Sequence, residues 1–253
     1  MKVVIVQQDI IWANPEGNLA ALDRIFAGLP AVDLYVLPEM FTTGFATQPE
    51  GIAEVFSGGS CAGLEWMKAM AKSRDCAVAG SIAVHDGGKY CNRLFFVTPE
   101  SVSCYDKHHL FTYSGEHLRY TAGDRKVTVE WRGWRIRLIV CYDLRFPKWI
   151  RNGAGQPYDA LICVASWPDR RAGAWKTLVR ARAIENQCYV LAVNRAGKDP
   201  SCVYSGDSAI IDPWGGTLAA CTPSAEGFAT AELDMEGLEA FRRQFPVLDD
   251  ADE

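Results

Sequence analysis

Residues 138–146 read LIVCYDLRF. Leu138, Ile139, Val140 and Cys141 form an apolar run of the kind found in a strand buried on both faces, and Tyr142, Asp143 and Arg145 follow at once. A strand core does not tolerate that polar group, so the strand ends at Cys141. The thiol is then either the last residue of the core or a side chain held at the rim of a sheet to react.

Two other apolar runs end in the same manner. DLYVLPE (33–39) closes on Glu39, and SVSCYDK (101–107) closes on Lys107. Strand ends are where α/β folds build sites, because the sheet fixes the position while the following loop exposes the side chain. The three residues also suit one reaction. A thiol with a pKa of about 8.5 is only slightly ionised at neutral pH and needs a base, which Glu39 can supply. Acyl transfer then generates an oxyanion, for which the Lys107 ammonium and the backbone N–H of Tyr142 are suitable donors. Glu39 can return its proton to a leaving amine and afterwards activate a water.

Outward from these runs the chain alternates strand and helix patterns. KVVIVQQ (2–8) reads as a buried strand. NPEGNLAALDRIFAGL (14–29) reads as a helix, with Asn14 as N-cap, Pro15 at the first position, and Leu19, Leu22, Phe26 and Leu29 on one face. A second helix is predicted over 60–73. Strands follow at 76–84, 93–98 and 101–106, and residues 126–141 read as a hairpin about Arg132-Gly133. The second half predicts a strand at 158–166, a helix at 172–187, a strand at 188–194, late strands within 205–221 and 227–233, and a helix over 234–243. No linker or charge block divides the 253 residues, so one domain over 1–253 is expected, a mixed α/β sandwich with helices covering the sheets.

Composition narrows the partners. With 49% hydrophobic and 23% charged residues the chain has the make-up of a soluble globule, and a net charge of −5 argues against a nucleic-acid footprint. Gln7, Gln8 and Asp9 interrupt the opening apolar stretch too early for a signal sequence, and no later stretch approaches the roughly 20 apolar residues of a membrane span. A cytoplasmic location is expected. The nine cysteines contain no CxxC pair, which fits reduced thiols, and the eight besides Cys141 read as small core hydrophobes.

LPEMFTTGF (37–45), YDKHHLF (105–111) and CYDLRFP (141–147) together resemble the three signature segments of the nitrilase superfamily of carbon-nitrogen hydrolases, in the expected order. The resemblance continues through GEHLRYTAG (115–123), VASWP (164–168), RARAIENQCYVLAVNR (180–195) and YSGDSAIIDPWG (204–215), and so covers nearly the whole chain. It implies a four-layer α-β-β-α sandwich, a catalytic triad of Glu39, Lys107 and Cys141, no metal or organic cofactor, and homodimers or higher homo-oligomers joined sandwich to sandwich. Within the superfamily the motifs are most similar to the omega-amidase branch. That branch implies hydrolysis of the terminal amide of a short dicarboxylic monoamide, such as 2-oxoglutaramate or succinamate.

Four further residues are candidates for the substrate pocket. Arg145, four residues past the nucleophile, can hold a substrate carboxylate bidentately, or it can be a structural ion pair beneath the turn. Glu116 matches a second glutamate that relatives place near the triad, holding Lys107 or steering the substrate amide. Tyr142 contributes its backbone, and Trp167 a pocket wall. Ser166 stands where relatives often carry Asn, which puts a hydrogen bond from that position to substrate in question. The alternatives are a carbamoylase, aliphatic amidase or nitrilase, a binding protein on the same fold, and a Cys-His hydrolase or metal site using His108 and His109. Consecutive histidines in a strand would point to opposite faces.

Overall fold

The computed structural model describes residues 1–153 and 155–250. One sheet consists of the strands Gly227–Glu232, Lys2–Gln7, Leu34–Val36, Ala77–Asp86, Lys89–Val97 and Val102–Asp106, in that order, with the short Glu54–Val55 paired to Ala77–Asp86. The second sheet runs Thr217–Ala220, Ala209–Ile211, Tyr189–Asn194, Ala160–Ala165, Trp134–Val140 and Thr128–Trp131. The central pairings of both sheets are parallel and the outer ones antiparallel.

Alternation along each strand assigns its side chains to two cores. Val3 and Ile5 of the first sheet meet Leu138, Val140, Ile162 and Val193 of the second across the centre of the molecule. Val4 and Val6 point the other way, onto Leu22 and Phe26 of the helix Pro15–Ala27 and Leu64 and Met67 of the helix Ala62–Arg74. On the far side Ile139, Leu161 and Val190 pack against Trp175, Val179 and Ala183 of the helix Ala172–Asn186. The layers are therefore helix, sheet, sheet, helix. Strands buried on both faces explain the uninterrupted apolar runs in the sequence.

Local signals act as their chemistry dictates. Asn14 Oδ1 accepts the Gly17 N–H at 3.0 Å, and Pro15 opens the helix. Arg132 (φ 46°) and Gly133 (φ 80°) form the tight hairpin. The second helix starts two residues later than expected, at Ala62, with Cys61 as its N-cap. Six of the eight other cysteines are buried, but Cys104 is exposed and Cys202 is partly exposed, which corrects the core reading for those two. His108 and His109 lie beyond the Val102–Asp106 strand, so the rule of opposite faces does not apply to them.

Candidate active site

Glu39, Lys107 and Cys141 each stand just past a strand, at one end of the sandwich. Glu39 and Lys107 come from the first sheet, Cys141 from the second. Glu39 is fully buried, and its Oε1 accepts from Lys107 Nζ at 3.0 Å and from Asn92 Nδ2 at 2.7 Å. Its Oε2 accepts the Ser166 backbone N–H at 2.7 Å. The Ser166 hydroxyl bonds the Glu39 carbonyl at 3.3 Å, so this position supports the glutamate chiefly through its backbone.

Lys107 Nζ also meets both oxygens of Glu116, at 3.1 and 3.0 Å. Glu116 Oε2 in turn accepts the Phe111 N–H at 2.6 Å. Glu116 is therefore not a surface acid; it lies wholly buried behind Lys107, in the place to hold the ammonium rather than to contact a substrate. Burial by itself would lower the Lys107 pKa, but Glu116, Glu39 and the neighbouring thiol together hold it well above the usual lysine range. Burial raises the Glu116 pKa, against the pull of Lys107. Two carboxylates around one ammonium give the cluster a formal charge of −1 when all three groups are ionised.

Cys141 has a left-handed backbone (φ 46°), the strained turn that lifts a side chain off the end of its strand. A 3₁₀ turn, Cys141–Arg145, follows. Burial pushes the thiol well above its ordinary pKa and Glu39 adds to this, while Lys107 and the Ser166 N–H oppose it. Burial and Glu39 therefore both favour the thiol over the thiolate.

Cys141 and Lys107 reach the wall of a cavity of about 590 Å³, which Tyr142, Arg145, Ser166 and Trp167 also line. Arg145 stacks on Trp167, 4.7 Å from the ring centroid, and makes no ion pair among the described residues, which leaves its guanidinium open to a ligand. Neither His108 nor His109 is part of this wall. His108 stacks on Trp149 at 3.6 Å and His109 on Phe146 at 3.8 Å, and His109 Nδ1 binds Asp143 at 2.9 Å. Both are structural here, against the Cys-His alternative. Among the described residues no group of three or more His, Cys, Asp or Glu side chains is placed to hold a metal.

Three supporting residues were not singled out from sequence. Asn92 holds Glu39 from the neighbouring Lys89–Val97 strand. Asp143 anchors the turn, accepting from Val140 N, Tyr105 Oη and His109 N. Arg182 reaches from the covering helix to the Leu144 carbonyl at 2.6 Å.

The family profile described as carbon-nitrogen hydrolase matches residues 2–243. The chain belongs to that family. This carbon-nitrogen hydrolase is 43% identical to the omega-amidase YafV of Escherichia coli strain K12 over 255 residues, covering 100% of this chain and 97% of that protein. It is 36% identical to the 2-oxoglutaramate amidase of Bacillus subtilis strain 168, over 97% of this chain and 95% of that protein. Its fold matches XC1258 of Xanthomonas campestris, a CN-hydrolase superfamily protein crystallised with an arsenic adduct in its active site. That match has a TM-score of 0.95 and 39% identity, over 100% of this chain and 97% of that one. The carbon-nitrogen hydrolase is accordingly an amidohydrolase acting on linear amides.

Proposed function

We propose that this enzyme hydrolyses the terminal amide of a short dicarboxylic acid monoamide, such as 2-oxoglutaramate or succinamate, through a Cys141 thioester. The observation that carries the proposal is a buried Glu39–Lys107–Glu116 cluster, formally net-negative, beside the Cys141 thiol, in a cavity where Arg145 has no acidic partner among the described residues. The names of the omega-amidase and 2-oxoglutaramate amidase relatives agree with it.

Cys141 Sγ attacks the amide carbon as its proton passes to Glu39, whose Oε2 accepts only one other donor among the described residues. At rest the three N–H groups of the Lys107 ammonium face Glu39 Oε1 and both oxygens of Glu116; one N–H turns from a Glu116 oxygen to the oxyanion, which the Tyr142 N–H also stabilises. Collapse breaks the C–N bond, and the leaving nitrogen takes the Glu39 proton and departs as ammonia. A water then attacks the thioester with Glu39 again as base, and collapse releases the carboxylic acid and restores the thiol. Throughout, Arg145 holds the distal carboxylate of the substrate and Trp167 walls the pocket.

Ammonia release and intact mass on mixing with 2-oxoglutaramate test this. Wild type should show a transient acyl adduct that Cys141→Ala lacks, and Cys141→Ala should release no ammonia above background. Equal ammonia rates in the two would dismiss the mechanism. Arg145→Ala should raise KM chiefly for 2-oxoglutaramate rather than for an uncharged amide of like length.

A further inference from the structure

The cavity carries more positive charge than amide cleavage uses. Its wall includes Lys107, Arg145, Arg170 and Arg171 against the acids Glu50 and Asp199. Lys107 is satisfied by Glu39 and Glu116. Glu50 is engaged by Arg119 at 3.4 Å. Asp199 accepts the N–H groups of Ser201 (2.7 Å) and Cys202 (2.8 Å) and the Tyr204 hydroxyl (2.6 Å). Among the described residues no acid pairs with Arg171. Its guanidinium lies over the Phe111 ring, 5.3 Å from the centroid, and the residue is only partly exposed.

Arg171 and Arg145 are held by one shared support. The Trp167 ring underlies Arg145, and the Trp167 indole N–H donates to the Arg171 carbonyl at 2.9 Å. Phe111, beneath Arg171, is fixed through its own N–H by Glu116 and packs on Tyr142 with centroids 5.0 Å apart. Two like charges lining one cavity repel each other, and an anion between them removes that cost. Stacking on aromatic faces keeps both planar groups ordered before it arrives.

We propose that Arg171 is a second specificity-determining residue, which together with Arg145 reads a 2-oxo acid terminus: the carboxylate and the ketone oxygen next to it. This rests on the amide-hydrolase reading above. A carboxylate alone satisfies one guanidinium fork, whereas the 2-oxo acid end presents three oxygens and can engage a second.

The test is steady-state kinetics of wild type, Arg171→Met and Arg171→Lys on three amides of one chain length: 2-oxoglutaramate, glutaramate and pentanamide. Thermal melting of each variant checks the fold. Arg171→Met should lower kcat/KM for 2-oxoglutaramate roughly 10- to 100-fold, mostly through KM, with a smaller loss for glutaramate and the least for pentanamide. Arg171→Lys should recover part of the loss. Competitive inhibition by the product 2-oxoglutarate should weaken in Arg171→Met more than inhibition by glutarate does. A loss equal on all three amides, or no loss on any, overturns the role of Arg171 while leaving the hydrolase standing. If wild type releases ammonia from none of the three, the dicarboxylic-monoamide reading fails and this proposal fails with it.

Discussion

Glu116 shows how much a single side chain can decide. Replaced by Gln, it keeps an oxygen for the Phe111 N–H but removes one formal negative charge from the Glu39–Lys107–Glu116 cluster. Glu116→Gln should therefore lower kcat by about 100-fold or more, the scale of general acid–base catalysis, with KM little changed. A KM increase at unaltered kcat would instead make Glu116 a substrate contact. From sequence, Glu39, Lys107 and Cys141 stand out because each ends an apolar run. Asn92 does not, because its task depends on strand pairing that sets it opposite Ala83 and brings its amide to Glu39. Ser166 is half legible: the residue type is visible, but the useful group is a backbone N–H that any residue there would carry.

At the scale of an element, the Cys141–Arg145 turn is tied down by Asp143. One buried carboxylate collects the N–H of Val140 at 3.0 Å, the Tyr105 hydroxyl at 2.7 Å and the N–H of His109 at 2.8 Å. Asn in its place sets an NH₂ group against donors, leaving at least one buried donor unpaired at a cost of about 1–3 kcal/mol. Asp143→Asn should thus lower the melting temperature by several degrees and reduce kcat as Cys141 loses its aim. An unchanged melting curve would dismiss the anchoring role. The sequence shows Asp143 only as the polar residue that stops a strand. Two of these three partners lie 34 and 38 residues away, a separation that no local pattern reports. The strands themselves were legible because burial on both faces writes a continuous apolar run. The histidine pair misled for the complementary reason, since its strand stops short of them.

For the whole molecule, buried thiols set an alkaline limit. Burial first of all pushes Cys76 and Cys91 up to about 11 and Cys61 and Cys221 up to about 12. In the unfolded chain thiols ionise near about 8.5. A raised folded-state pKa contributes stability that is intact below the unfolded value and is lost as pH climbs through the folded one. The free energy of unfolding should hold between about pH 6 and 8 and decline from about pH 8.5 upward. Urea titrations at pH 7.5 and 10 measure it, and Cys91→Ala should reduce the slope; a flat profile would contradict this account. The layered architecture follows from the run pattern together with the family resemblance. The way the layers meet is a property of packing, and Leu138 or Val140 alone does not name its partners across the sheets.

That meeting has a consequence for the chemistry. Glu39 and Lys107 are carried by one sheet, while Cys141 and the Ser166 N–H are carried by the other. Sliding one sheet past its neighbour by a single residue, about 3.3 Å, exceeds the tolerance of a hydrogen bond. Each layer could stay fully paired within itself and the thiol would still lose its acceptor. Ammonia release is in this sense a caliper set across the sandwich, reading the alignment of two sheets rather than the integrity of either.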